Sequence, residues 1–235
     1  MSDKVDILAI GGHAGDAEIS CGMALCHHVN QGKKVAMLHM TPGEKGHPTM
    51  SAERYAELKR VEAEYAAKAI GAKVYFLPYG DGELPVNDEV KFRIADVIRD
   101  CKPSVILTHW VKSIHKDHTN TALNVPDAQF YAGIAGFERK DPAHWCGTIY
   151  HAENWEDAEG FVPQVYVEIT KEDMKLWEEM VLKYALFRGE VAKFQYVDYY
   201  KALARVRGCE MYTEYATAFM LPPGSHRRKV QSFFG

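Results

Sequence analysis

The chain has 235 residues, of which 47% are hydrophobic, 26% charged and 11% aromatic, the proportions of a soluble globular protein rather than a disordered, collagen-like or coiled-coil one. Twenty-eight Lys and Arg against 32 Asp and Glu leave a formal charge of −4, which excludes a global basic field for nucleic acid or an anionic membrane. The run His226-Arg227-Arg228-Lys229 is locally basic and reads as a solvated tail. No stretch approaches the ~20 apolar residues of a membrane span, and no signal-peptide pattern is present. Five widely spaced cysteines without a C-x-x-C pair read as reduced thiols, so the expected compartment is the cytoplasm. One feature of the composition is uneven: eleven histidines, clustered in places.

In chain order, residues 5–10 form a short apolar run ended by Gly11-Gly12, which predicts a buried strand. Residues 18–31 carry helical spacing closed by Gly32. A second strand over 34–40 ends at Thr41-Pro42-Gly43. A helix over 51–70 follows, with Ser51 as N-cap, Leu58, Val61, Tyr65 and Ala69 on one side, and Gly71 as its stop. A strand over 74–77, a turn over 78–82, a helix over 87–101 and a strand over 104–108 complete the first half. The second half reads as a helix over 119–124, interrupted at Val125-Pro126 and resuming over 128–135. An irregular segment, 137–159, surrounds a strand at 148–152 and has the composition of an active-site loop. A strand at 165–169 and helices over 171–186 and 197–207 follow. The repeated strand-then-helix order predicts a single α/β domain over residues 1–235, Rossmann-like, with a mainly parallel sheet flanked by helices.

In such sheets ligands gather beyond the carboxyl ends of the strands. The segments there are His13-Ala14-Gly15-Asp16-Ala17-Glu18, Thr41-Pro42-Gly43-Glu44-Lys45-Gly46, Gly80-Asp81-Gly82-Glu83, and His109 followed by His115-Lys116-Asp117-His118. The first lacks the G-x-G-x-x-G dinucleotide pattern, and the chain contains neither a Walker A lysine loop nor G-x-S-x-G. Metal chemistry fits better. His13 and Asp16, three residues apart at a strand-to-helix turn, with His118 from a neighbouring edge, would make a His₂Asp set and leave one position of a zinc ion open to water. Such an ion acidifies water and polarises a carbonyl. Asp117 beside His115 would orient that ring to stabilise an oxyanion or protonate a leaving amine. Singly each residue has a structural explanation: Asp16 as a helix cap, the glycines as a tight turn, residues 115–118 as a solvated loop. Their joint occurrence points to a metal. His27, His28, His39, His47, His144, His151 and His226 have no such neighbours in sequence and read as structural or surface residues, with His109 and His151 the closest to the boundary.

These segments resemble the PIG-L/LmbE-like family of zinc-dependent N-deacetylases, whose members carry His-Pro-Asp-Asp-x-Glu after the first strand, Thr-x-Gly-Glu-x-Gly after the second and His-x-Asp-His after the fourth. The helix with Arg60 and Glu62 ahead of Ile70-Gly71, the Asp81-Gly82 turn and Tyr215-Ala216-Thr217-Ala218-Phe219 also resemble family segments. The resemblance implies a zinc-dependent hydrolase that removes an acetyl group from an N-acetylated sugar or related small amide, and a homo-oligomer. Its ligands would be His13, Asp16 and His118. His115, with Asp117 behind it, would be the electrophilic or general-acid histidine, and Glu44, Arg60 and Asp81 would contact substrate. The chain departs from the pattern at Gly15, where the family has its general-base Asp, at Ala14 for Pro, and at Thr217 for Glu. Three alternatives follow: another carboxylate (Glu18, Glu44 or Asp117) serves as base; zinc-activated water acts largely alone with help from His115; or the protein binds metal and carbohydrate without appreciable turnover. On this reading Gly15→Asp is expected to raise deacetylation.

Overall fold

The structure, a computed structural model, describes residues 4–157 and 159–224; the basic run at 226–229 lies outside them. The strands are β1 (Ile7–His13), β2 (Val35–Thr41), β3 (Lys73–Phe76), β4 (Val105–Thr108), β5 (Thr148–Ala152), β6 (Val165–Ile169) and β7 (Tyr215–Met220). The helices are α1 (Asp16–Ser20), α2 (Gly22–Asn30), α3 (Ala52–Ala69), α4 (Asp88–Cys101), α5 (Lys116–Gly133), α6 (Lys171–Val181) and α7 (Tyr196–Glu210). One sheet holds all seven strands in the order β3-β2-β1-β4-β5-β7-β6. Its first five are parallel; β7 runs antiparallel to both β5 and β6. The expected single α/β domain with a mainly parallel sheet is the fold observed.

Both faces of the central strands are covered, as parallel sheets require. Alternate residues of β1 and β2 (Ile7, Ala9, Val35, Met37) join one core with α2, α3 and α6. Their neighbours (Leu8, Ile10, Ala36, Leu38) join a second core with α4 and α5. The strand order reverses between β1 and β4, so the connections leave these two adjacent strands in opposite directions and open a crevice at their carboxyl ends. Ser51 and Asn87 cap α3 and α4 through the N–H groups of Arg54 and Val90, and Gly71 has φ 67°, as a helix stop requires.

Five elements differ from their sequence reading. The helix expected over 18–31 is two, α1 and α2, broken at Cys21, where Ser20 Oγ donates back to Asp16 O at 2.6 Å and competes with the helical ladder. α5 begins at Lys116 and runs unbroken through Pro126; packing of α5 on α4 overrides the proline. α6 ends at Val181 instead of 186, because the buried Glu62 carboxylate captures the Ala185 N–H at 2.8 Å and holds the chain in turns. α3 buries Tyr55, Lys59, Glu62, Ala63, Ala66 and Ala67, whereas Val61 and Tyr65, on its expected apolar side, are 46% and 59% exposed. β7, a motif without a predicted element in the sequence, completes the sheet as the strand between β5 and β6. All five cysteines are free thiols, and among the described residues no helix is long and apolar enough to cross a membrane.

Trp177 of α6, fully buried, donates its indole N–H to Glu18 O at 3.0 Å and lies against Gly22, where a Cβ would come 2.6 Å from Met180 Cε and 2.7 Å from Trp177 Cδ1. Gly22→Ala is therefore expected to destabilise the fold by about 1–3 kcal/mol through overpacking, read as a lower urea midpoint at unchanged m-value.

Candidate metal centre

His13 is the last residue of β1. Gly15, at φ 109°, turns the chain sharply into α1, so that Asp16 at the head of that helix points back and its Oδ2 accepts the His13 N–H at 2.7 Å. β4 ends at Thr108, and the loop after it returns as α5, whose first turn carries Asp117 and His118. Three ligand atoms from these two strand ends meet in a near-equilateral triangle. His13 Nδ1 and His118 Nε2 each lie 3.0 Å from Asp16 Oδ2 and 3.2 Å from one another. Ligands about 2.0–2.1 Å from a tetrahedral ion stand roughly 3.3 Å apart, so the triangle is of a size that a small divalent ion can cap. The donor set, two imidazoles and a carboxylate, fits zinc and leaves a side open to the cavity.

The rings are fixed from behind. His13 Nε2 faces Asp81 Oδ1 at 3.2 Å and Asp117 Oδ2 at 3.3 Å, while His118 Nδ1 faces Glu156 Oε2 at 3.0 Å. Carboxylates on the far nitrogen set the tautomer that leaves the near nitrogen for the metal. His109 completes the cluster. Its Nε2 accepts the Gly12 N–H at 2.9 Å and lies 3.3 Å from Asp16 Oδ2, and its ring stacks on His118 with centroids 4.0 Å apart. His151 holds His109 in turn, facing the His109 carbonyl through Nδ1 at 2.5 Å.

Burial alone would push His13 and His118 down, but the Asp16 charge and the backing carboxylates outweigh it: His13 is held well above the ordinary histidine value and His118 is raised to about 9. Burial likewise disfavours the Asp16 carboxylate, yet His118 and His13 hold it well below the usual range. His109, desolvated and next to the His118 charge, is pushed down to about 4 and stays neutral. His115 is lowered by burial and then by His13 and His118. Its Nδ1 accepts the Asp117 N–H at 3.2 Å, capping α5, so the neutral ring carries its proton on Nε2.

The PIG-L family profile, described as GlcNAc-PI de-N-acetylase, matches residues 8–129, just over half of the chain. The chain belongs to the PIG-L family. Among curated relatives, a 4-oxalmesaconate hydratase of Pseudomonas putida is 24% identical over 86% of this chain and 80% of its own length. A diacetylchitobiose deacetylase of Thermococcus kodakarensis is 26% identical over 84% and 83%. Among solved structures, the conserved protein TT1542 of Thermus thermophilus superposes with a TM-score of 0.81 at 24% identity, covering 93% of this chain and 94% of that one.

Within this PIG-L site the expected residues divide. His13, Asp16, His115, His118 and Asp81 line one cavity of about 230 Å³. The Asp117 carboxylate does not back His115: its Oδ2 accepts the Gly82 N–H at 2.6 Å and faces His13, and only its backbone N–H meets His115. Glu44 stands behind the cavity, its Oε1 accepting the Asp81 N–H at 2.9 Å. Arg60 points away, its guanidinium 4.8 Å over the Phe76 ring; one residue earlier on the helix, Lys59 lines the cavity instead. His109, Glu156 and Lys59 went unassigned in the sequence. Only His109 carried a signal, its place directly after β4. Two histidines read as partnerless have carboxylates brought from afar: His27 lies 2.8 Å from Asp173 and His39 3.3 Å from Glu18.

Gly15 is not a vacancy ready for an acid. Its φ is left-handed, and a Cβ there would stand 3.0 Å from Phe187 Cζ. Gly15→Asp is thus expected to lower stability by about 1–2 kcal/mol from backbone conformation alone, seen in the urea midpoint, and not to raise activity. The raised His118 value contributes stability to the metal-free protein that is fully present below pH ~6.5 and lost as pH rises through about 9. The thermal midpoint of metal-free protein is expected to fall across that window. Saturating zinc, which displaces the protons, is expected to flatten the profile.

Proposed function

We propose that this chain is a metal-dependent hydrolase that removes the acetyl group from an N-acetylated sugar or a related small amide. What carries the reading is the closed His13–Asp16–His118 triangle with a carboxylate behind each histidine. Zinc suits this donor set, and a bound divalent ion supplies Lewis-acid polarisation of the carbonyl and acidifies water. The cavity is smaller than the roughly 300–1,000 Å³ of sites for drug-sized ligands, in keeping with a small substrate. Tyr55, Trp155, Phe187 and Tyr196 wall it with rings that can lie against the apolar face of a pyranose. His115, neutral with its proton on Nε2, donates a hydrogen bond to the oxygen on which charge develops. Asp81 and Asp117 hold His13, and Glu156 holds His118.

Two observations favour other readings. Residue 15 offers no proton acceptor, which favours an attenuated metal and carbohydrate binder. The Pseudomonas putida relative is a hydratase, which favours addition of water to a double bond over amide cleavage. Amine release from a panel of N-acetylated sugars, with an unsaturated oxo-acid in parallel, separates them. The expected result is turnover of an N-acetyl substrate that a chelator abolishes and zinc restores. His118→Ala is expected to lose stoichiometric metal and at least ~10²-fold in kcat/KM. A protein without bound metal, or with activity untouched in His118→Ala, refutes the hydrolase.

A further inference from the structure

Each carboxylate near the cavity that could replace the missing acid has one oxygen engaged elsewhere, although Glu18 Oε2, Glu44 Oε2 and Asp117 Oδ1 are buried without a hydrogen bond. Glu18, fully buried, accepts the Tyr184 O–H at 2.6 Å and faces His39. Glu44 holds the Asp81 N–H, and Asp117 holds the Gly82 N–H and His13. Asp81 divides its oxygens between His13 and the Lys45 N–H, while Glu156 lies against His118. The cavity wall also carries one amine. Lys59 is 2% exposed, yet among the described residues Nζ makes no hydrogen bond or ion pair, and lies 4.7 Å over the Tyr184 ring. It stands 3.4 Å from the point where a Cβ of residue 15 would be, which places the amine where a side chain at that position would extend.

We propose that Lys59 is the catalytic base of this site, its amine taking the proton that an acid at residue 15 would otherwise accept. The proposal rests on the amide-hydrolase reading. The amine accepts one proton of the attacking water as the water oxygen bonds to the amide carbonyl carbon. The ammonium returns that proton to the amide nitrogen as the C–N bond breaks, releasing the carboxylic acid and the free amine and restoring neutral Lys59. Burial, the largest influence, lowers the Lys59 value, and the charges of Asp16, Glu62, Glu18 and Asp81 offset it only in part. Desolvated lysines are the ones that serve as bases near neutral pH. The helix supplies the placement: Tyr55, Lys59, Glu62, Ala63 and Ala66 form the buried stripe of α3, so the lysine stem is packed and its tip is aimed rather than solvated.

The test has two independent arms on the full-length protein. In the first, the side-chain ¹⁵N resonance of Lys59, assigned with Lys59→Met, is titrated with and without zinc. A midpoint at or below the assay pH is expected; one near the ordinary lysine value of about 10.4 overturns the proposal, whatever the substrate. In the second, Lys59→Met and Lys59→Arg are compared with wild type on the best N-acetyl substrate after metal content and melting are verified. Both are expected to lose ~10²- to 10⁴-fold in kcat with KM nearly unchanged, because a guanidinium keeps the charge but cannot take a proton. Activity retained in Lys59→Arg would make residue 59 a cation that holds an anionic substrate and overturn the base. Wild type inactive on every amide would sink the hydrolase reading, and the titration would still decide whether Lys59 is a neutral amine.

Discussion

One carboxylate oxygen organises the site. Asp16 Oδ2 lies within 3.3 Å of the rings of His13, His109 and His118, and the three arrive from different places: the end of β1, the residue after β4 and the first turn of α5. A buried carboxylate is costly unless paired, and here pairing is possible only because the sheet reverses its order between β1 and β4 and brings their carboxyl ends together. Asp81, Asp117 and Glu156 repeat the arrangement one layer out, so that the rings sit in a cage of fixed negative charge. Such a cage is unfavourable for another anion and favourable for a small cation, which is why the cluster reads as a metal centre and not as a hydrogen-bonded core.

The same economy of burial shapes the other wall. α3 turns a stripe containing Lys59 and Glu62 inward and leaves Val61 and Tyr65 outside. Glu62 uses its carboxylate to end α6 early by binding the Ala185 N–H, and the turns that follow bring Phe187 against Gly15. The left-handed glycine, the aromatic ring and the buried lysine are therefore one packed unit. An acid at residue 15 would meet the ring, while the amine already occupies the neighbouring space, so the departure from the PIG-L motif is matched by its surroundings instead of leaving a hole.

The alternation of strands and helices, the capped start of α3 and the loops bearing His13, Asp16 and His118 were legible because each depends on neighbours a few residues away. A strand run ended by glycines, or a ligand pair three apart at a turn, has its geometry set by local backbone. The apolar side of α3 misled for a physical reason: periodicity detects large aliphatic residues, whereas this helix buries Tyr55, three alanines and two charges, Lys59 at the cavity and Glu62 on the Ala185 N–H. β7 and the end of α6 escaped because pairing with β5 and β6, and capture by Glu62, are contacts between distant segments.

The residue types and their order along the chain were thus enough to establish an α/β domain, the edge of the sheet where its histidines and carboxylates gather, and the residue at which its motif departs from the family's. Which nitrogen each carboxylate faces was settled by folding. Asp117 serves His13 and not its sequence neighbour His115, and Lys59 rather than Arg60 enters the cavity, since a step of one residue on a helix rotates a side chain by about 100°. Spacing in sequence limits what can meet within a turn; only the packing of sheet and helices determines which of the distant charges are desolvated together.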